Sequence, residues 1–456
     1  MFFFARLLRR AAGVGTVRVG TVRPRSFHWE RRICLLTRRP GLSWTIFLMV
    51  IAMPSVSGGT GTAQAHRTPQ ARVAEAIDHT IRVRLLAGVP TAQIHVEGPF
   101  ELIDTQAEEV LSRHESAAER QRVVFQQDRI SLPDLALNLP MQSIDIVPDR
   151  PGESSVGLRV GERVLHFPGR LRLIREQGGS GMVLNLAHIE DYLVGVVASE
   201  LDRRFHPETF RAQSIAARTY AWYHKRTLGM RRDWDVTADE QTQVYLGEDR
   251  ARLVPEAAVA VRATRGIVCT WPSPAGWKIF CTYYSSACGG WTQSADAIRT
   301  DSAIAPLEGN VRCLHCKDAP GFFWGPLEVT KAELTARLRA RYALFREKGP
   351  IRQVAVVQST PAGRPVRFGL TDQAGRTTEL EAENVRLSID PTGRIFRSTM
   401  FRFTDAPDRI IIEQGQGFGH GVGWCQFGAE GLAREGVLAG EILERYYPGS
   451  RLQRAY

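Results

Sequence analysis

The sequence predicts an α+β protein: a mixed core with central helices and a small β-barrel-like element, a β-rich N-terminal domain and an inserted α+β subdomain. Three patterns in the 456 residues lead there. Short strand-like runs separated by Pro and Gly fill 80–178. An alanine-rich helical stretch lies between Ile189 and Gly229. Glycines then recur at every second position from Gly415 to Gly423, which predicts a strand with one bare face that lets another backbone come close.

Residues 1–65 read as a targeting segment. Residues 1–40 are strongly basic with one acid, Glu30; a short apolar run, Trp44 to Met53, leads to Ala63-Gln64-Ala65, an A-x-A cleavage pattern. The run is short for a bilayer span, so an uncleaved membrane anchor is the second reading and a cleaved signal peptide the first. The leader holds ten arginines and one glutamate; of the chain's 59 basic and 48 acidic residues this leaves 49 and 47, a net charge of +2 instead of +11. The high isoelectric point belongs to the leader, and a nucleic-acid partner is not expected. An exported protein of the periplasm or cell envelope is.

A linker, 66–79, precedes the β-rich domain at 80–178, where IRVRLL, AQIHVEG, SIDIV, VGLRV and RLRLI read as strands and no cluster of chemistry-bearing residues occurs. The core begins at 183. Its first helix runs from Ile189 to about Ala198 and is apolar apart from Glu190 and Asp191; its second opens with Pro207 and stops at Gly229, the expected placing of Pro and Gly at helix ends. Gln243 and Tyr245 alternate with Thr242 and Val244, which predicts a strand edge with a polar face. Ile279 to Ser286 reads as an apolar strand leading into Gly289-Gly290. The first part of the core ends at 330. An Arg-rich amphipathic helix, Lys331 to Phe345, and the strands after it form an inserted subdomain, 331–405, and the core resumes over 406–456.

Four blocks carry a family resemblance. YLVGVVASE is followed eighteen residues after its Glu by the Arg of AQSIAARTY; then come YSSACGGWT, GFGHGVGWCQFGA and EILERYYPGS. In this order they resemble the stage II sporulation protein D family, also called the amidase enhancer family, over Ile81 to Tyr456. The third block differs from the family's GHGVGMSQYGA by Trp424, Cys425 and Phe427. The resemblance implies an exported enzyme of the cell wall, a lytic transglycosylase that cuts peptidoglycan glycan strands, with strands stripped of stem peptides preferred and hence a partner amidase. The alternative is a glycan-binding activator of a cell-wall amidase without chemistry of its own.

The residues themselves bear on both readings. Glu200 stands where the first helix ends, among Val196, Val197, Ala198 and Leu201, and a desolvated carboxyl titrates high enough to donate a proton near neutrality. Hydrolytic glycosidases need a second carboxylate at a set distance. A lytic transglycosylase does not, because one acid protonates the glycosidic oxygen and then deprotonates the sugar's own 6-hydroxyl. Arg218 is expected either to contact substrate, or Glu200 after proton transfer, or to form a structural salt bridge. Gln243, Tyr245, Ser285, Ser286, His420 and Gln426 are the other expected substrate contacts; Ser285 and Ser286 lack the Gly-x-Ser-x-Gly elbow of a serine nucleophile. Gln416, Phe418, His420, Val422 and Trp424 would decorate the second face of the glycine strand.

Cys313 and Cys316 form a CxxC around His315, with Cys288 upstream. That spacing suits a structural zinc held by Cys288, Cys313, Cys316 and either His315 or Cys281. A Cys313–Cys316 or Cys288–Cys313 disulfide is the oxidative alternative. Cys269 and Cys425 lie outside this cluster in sequence.

Overall fold

The computed structural model describes residues 79–149, 155–298 and 304–456. The expected leader and nearly all of the linker lie outside them. The fold is mixed α+β, and no sheet among the described residues closes into a barrel, so the barrel-like element is not part of it.

Two sheets make up the N-terminal half. Seven strands lie in the spatial order Val236–Thr237, Thr80–Val89, Gly181–His188, Arg170–Arg175, Ser143–Pro148, Phe100–Asp104, Val110–His114. Six more lie in the order Arg163–Phe167, Ser155–Val160, Thr91–Glu97, Ala118–Phe125, Ile130–Leu132, Leu137–Leu139. Alternation predicts which faces are buried: Ile81, Val83 and Leu85 point inward from one strand, Ala92, Ile94 and Val96 from another. Thr80–Val89 pairs along its length with Gly181–His188 and, in parallel, with Val236–Thr237. The boundary expected between 178 and 183 therefore crosses one continuous sheet, and a single apolar core runs from Ile81 and Ile94 to Tyr192, Val196 and Phe210.

The central helices form as their sequence dictates. Gly181–His188 is buried on both faces save at its last residue and runs straight into the first helix, Ile189–Glu200. His188 Nδ1 caps it by accepting the Glu190 amide at 3.2 Å. Nine of its twelve residues are buried, as an apolar surround requires. The second helix, Pro207–Arg226, starts at a His206 cap and ends in Lys225 and Arg226, whose charges suit a helix C-terminus. Its Ala212, Ile215, Ala216 and Tyr220 pack into a second core with Phe280, Trp424 and Tyr446. Small alanines on that face let strands and loops approach closely.

The insertion builds a third core around the three-stranded sheet of Ile351–Ser359, Pro365–Asp372 and Thr377–Glu381. That core also takes in Val329, Ile410 and Ile412, so the Arg409–Gln416 strand serves the insertion and the resumed core together. Beyond Gly415, which lies in the Arg409–Gln416 strand, the glycine block is not a strand. Gly417, Gly419, Gly421 and Gly423 all have positive φ, from 69° to 102°. A left-handed residue at every second position breaks the pleat, so the period of two here marks a looped backbone. The close approach expected of the block does occur: a Cβ on Gly417 would lie 2.6 Å from the Ala287 carbonyl oxygen. Likewise Gln243 and Tyr245 lie on irregular backbone and not on a strand edge.

Candidate functional site

Glu200 is the last residue of the first central helix and only partly exposed. The Val244 amide donates to its Oε1 at 3.0 Å. Gln426 Nε2 donates to Oε2 at 3.4 Å and also reaches Gln213 Oε1 at 3.2 Å. The Tyr284 phenol lies by the same carboxyl and counters the rise in its pKa. Behind these, Gln243 Nε2 donates to Tyr284 Oη at 3.0 Å, and the Tyr192 hydroxyl donates to Gln243 Oε1 at 3.1 Å.

Five segments converge here because the main chain is pinned segment to segment. Tyr284–Ser285 pairs in parallel with Trp424–Cys425, Phe418 and Ala287 exchange two hydrogen bonds, and the Phe427 amide donates to Ser286 O at 3.0 Å. This register delivers Gln426, the first residue of the helix Gln426–Arg434, to Glu200.

Burial pushes the Glu200 carboxyl up to about 7, and the charge of exposed Glu240 adds to the rise; the Val244 amide, Gln426 and Tyr284 only soften it. Asp202, two residues on, has the opposite fate. Its salt bridge to Arg204, at 2.8 Å, holds it at about 2, fully ionised. The two carboxyls are thus pushed apart by their surroundings, one kept as an acid near neutrality and one as a surface anion.

Several expected site residues lie elsewhere. Arg218 is completely buried and grips Glu190 with two parallel bonds, Nε to Oε1 and Nη2 to Oε2, both 2.8 Å. Its Nη1 donates to the Ile267 carbonyl at 3.1 Å, and Glu190 also accepts from the Gly266 amide and the Tyr456 hydroxyl. Burial drives the Glu190 pKa up and Arg218 overcomes that, leaving the carboxyl below its ordinary value. Arg218 is the structural salt bridge of the alternatives, neither a substrate contact nor the Glu200 partner. Tyr245 is buried with its hydroxyl on Asn185 Oδ1 at 3.0 Å, a core role. Val422 and Trp424 are fully buried, so the glycine block has no continuous decorated face. His420 accepts the Val422 amide on Nδ1 at 3.0 Å and sets its ring edge against Tyr283. Ser285 is buried, and the main-chain carbonyl of Ser286 holds the following helix. Of the expected set, Glu200, Gln426 and Gln243 come together. Tyr284 and Gln213 complete the cluster and were missed; both stand in the quoted blocks, but nothing local says which way they face.

The cysteines also regroup. Cys288, Cys313, Cys316 and Cys425 are buried, and their sulfurs all lie within 4.8 Å of one another. His315 instead faces Glu435, Nε2 to Oε2 3.4 Å, and Cys281 lies 3.8 Å from His224 Nε2. The fourth member is thus Cys425, which sequence distance had excluded; the parallel pairing of Tyr284–Ser285 with Trp424–Cys425 brings it in. None of the six described cysteines is in a disulfide. Amides of Cys288 and Gly428 point at Cys425 Sγ, and that of Gly290 at Cys316 Sγ, each at 3.3 Å, while the Tyr446 hydroxyl lies 3.1 Å from Cys313 Sγ. Arg364 reaches in from the insertion, fully buried, and donates to the carbonyls of Cys288, Trp291 and His420. Four sulfurs, amide donors aimed at them and a buried cation alongside fit the donor set, second shell and charge of a closed zinc site.

Residues 177–271 match a family model described as Stage II sporulation protein, a span that holds Glu200, Gln213, Arg218 and Val244. An uncharacterized protein of Brachyspira hyodysenteriae is 28% identical over 377 residues, covering 81% of this chain and 91% of that one. Stage II sporulation protein D of Bacillus subtilis is 27% identical over 279 residues, 59% of this chain and 75% of its own. The amidase enhancer of the same organism is 23% identical over 300 residues, 57% of this chain and 40% of its own length.

Proposed function

We propose a reaction for this chain, whose residues 177–271 match a Stage II sporulation protein family model and which is similar to stage II sporulation protein D and the amidase enhancer: lytic cleavage of peptidoglycan glycan strands, with Glu200 as acid and then base. What carries the reading is the setting of Glu200, a carboxyl raised to about 7 whose hydrogen bonds, from the Val244 amide and Gln426, come from neutral groups. Protonated, it gives its proton to the glycosidic oxygen as the bond to C1 of N-acetylmuramic acid breaks. The 6-hydroxyl of the same sugar then attacks C1, and its proton passes to the Glu200 carboxylate. The product is a 1,6-anhydro end, no water is consumed, and Glu200 is again protonated. The ionised Asp202 is spent on Arg204, which favours this single-acid course over a two-carboxylate hydrolysis. Gln426 and the Val244 amide hold the carboxyl, Tyr284 and Gln243 extend the polar wall, and Ser286 and His420 belong to the neighbouring loops. Strands without stem peptides are the substrate class, supplied by a cell-wall amidase.

Zinc belongs to this reading as a structural ion. Cys288, Cys313, Cys316 and Cys425 would hold it, closed to substrate, and it would tie the Ser-rich and glycine loops together one residue from Gln426. The similarity to an amidase enhancer supports a second reading, a glycan-binding activator of an amidase. Digestion of purified glycan strands, with and without stem peptides, followed by mass spectrometry separates the two. Anhydro ends from the wild type and none from Glu200→Gln support the enzyme; intact strands from both leave the activator.

A further inference from the structure

A second cluster of metal-ligating side chains lies on the six-stranded sheet, away from Glu200 and from the cysteines. His95 and Glu97 stand two apart on the Thr91–Glu97 strand and so share a face. His166 stands on the edge strand Arg163–Phe167. Between these strands runs Ser155–Val160, and its Gly157 is in register with both histidines. Outer strands of such a triplet are about 9.5 Å apart, too far for direct neighbours. Gly157 presents no side chain, so the two imidazoles lean over it until their ring centroids are 5.7 Å apart. A Cβ there would lie 3.3 Å from the His166 ring.

Two of the three groups are oriented as ligands would be, while His95 Nδ1 is buried without a hydrogen-bond partner. Asp249 takes the His166 amide at 2.7 Å and its Nδ1 at 3.2 Å, which fixes the proton on Nδ1 and leaves Nε2 as a lone pair. Ser155 donates to Glu97 Oε2 at 2.8 Å and turns Oε1 toward both rings. Oε1 lies 3.4 Å from His166 Nε2 and 3.8 Å from His95 Nε2. His166 Nε2 is buried without a hydrogen bond. A tetrahedral ion with bonds near 2.0–2.1 Å holds its ligand atoms about 3.4 Å apart, close to what is found. Two neutral imidazoles and the carboxylates of Glu97 and Asp249 balance a divalent charge.

We propose that His95 Nε2, His166 Nε2 and Glu97 Oε1 form a site for a divalent transition metal of the zinc class, with Asp249 and Ser155 as its supporting shell. The site joins the six-stranded sheet to the helix Gly247–Leu253, three residues beyond the Val244 that holds Glu200. Its role is a clip between the sheet and the loop that shapes the acid's surroundings.

The test is zinc content after equilibrium dialysis of the full chain, compared with Glu97→Gln and with His95→Ala/His166→Ala. The wild type should hold one zinc more than either variant. Cobalt loading should show the same difference of one ion, with any thiolate-to-cobalt absorption from the cysteines unchanged, so the result is independent of whether the cysteine site is filled. Asp249→Asn should weaken zinc binding about 10–100-fold while leaving the ligands in place. Glu97 is half exposed, so its conversion to Gln cannot unfold the protein. Equal zinc in wild type and Glu97→Gln, both folded by circular dichroism, overturns the site and leaves a histidine–glutamate pair without metal.

Discussion

Glu200 is the residue on which the proposed reaction turns, and its raised pKa can be tested in activity and in stability. Glu200→Gln keeps the shape and removes the proton donor, so turnover should fall about 10²–10⁴-fold with glycan binding nearly unchanged, measured by product release and by a pull-down on glycan strands. The acid form is lost as pH rises, so the wild-type kcat/KM should decline above about 7. The same carboxyl affects stability. Its folded pKa is about 7 and its unfolded value about 4.5, so between the two the folded state keeps a proton that the unfolded state has released. Wild-type stability therefore falls relative to Glu200→Gln as pH rises through that window, and the deficit is constant above it. Discounted for the partly exposed face, it is about 2 kcal/mol, read as a higher Tm for the Gln variant at pH 8 and none at pH 4. Arg218→Ala should act on stability alone: it strands Glu190 in the core, a loss of about 3–5 kcal/mol by denaturant melts.

At the scale of elements, the glycine loop and the cysteine cluster are one assembly. Gly423 has φ of 69° and a Cβ there would strike the Tyr283 carbonyl, so Gly423→Ala should destabilise by at least about 1–3 kcal/mol and displace Gln426, lowering activity with it. Cys316→Ser and Cys425→Ser should behave alike, each losing metal and melting temperature, checked by elemental analysis and thermal melts. Cys269→Ser should do neither; Cys269 sits apart with its amide on Thr219, its thiol pushed up by burial to about 12. A wild type without metal and with oxidised cluster thiols would replace the zinc reading by a disulfide.

At the scale of the molecule, segments far apart in sequence build the site. Residues from the first helix, the 238–246 loop, the Ser-rich segment and the Gln426–Arg434 helix reach one carboxyl. Chelation should therefore lower Tm first and activity in consequence, with protons taken up as the thiolates are released.

The sequence alone determined what depends on local order. The start of the second helix follows from Pro207, strand faces from the alternation in IRVRLL and AQIHVEG, and the family resemblance from four blocks in series; the helix stops at Arg226, ahead of the expected Gly229. Glu200 was legible because a charge at the end of an apolar helix is itself a local signal. Tertiary structure decided what depends on direction and on distant pairing. Arg218 and Glu200 share a block, yet Arg218 faces Glu190, since a fully buried guanidinium needs the partner its side of the helix offers. The alternating glycines have the period of a strand, but period cannot report the sign of φ. Cys425 lies over a hundred residues from its companions, and only the parallel pairing of Tyr284–Ser285 with Trp424–Cys425 brings it to them. Sequence spacing measures distance along the chain, whereas a ligand set is defined by distance through space.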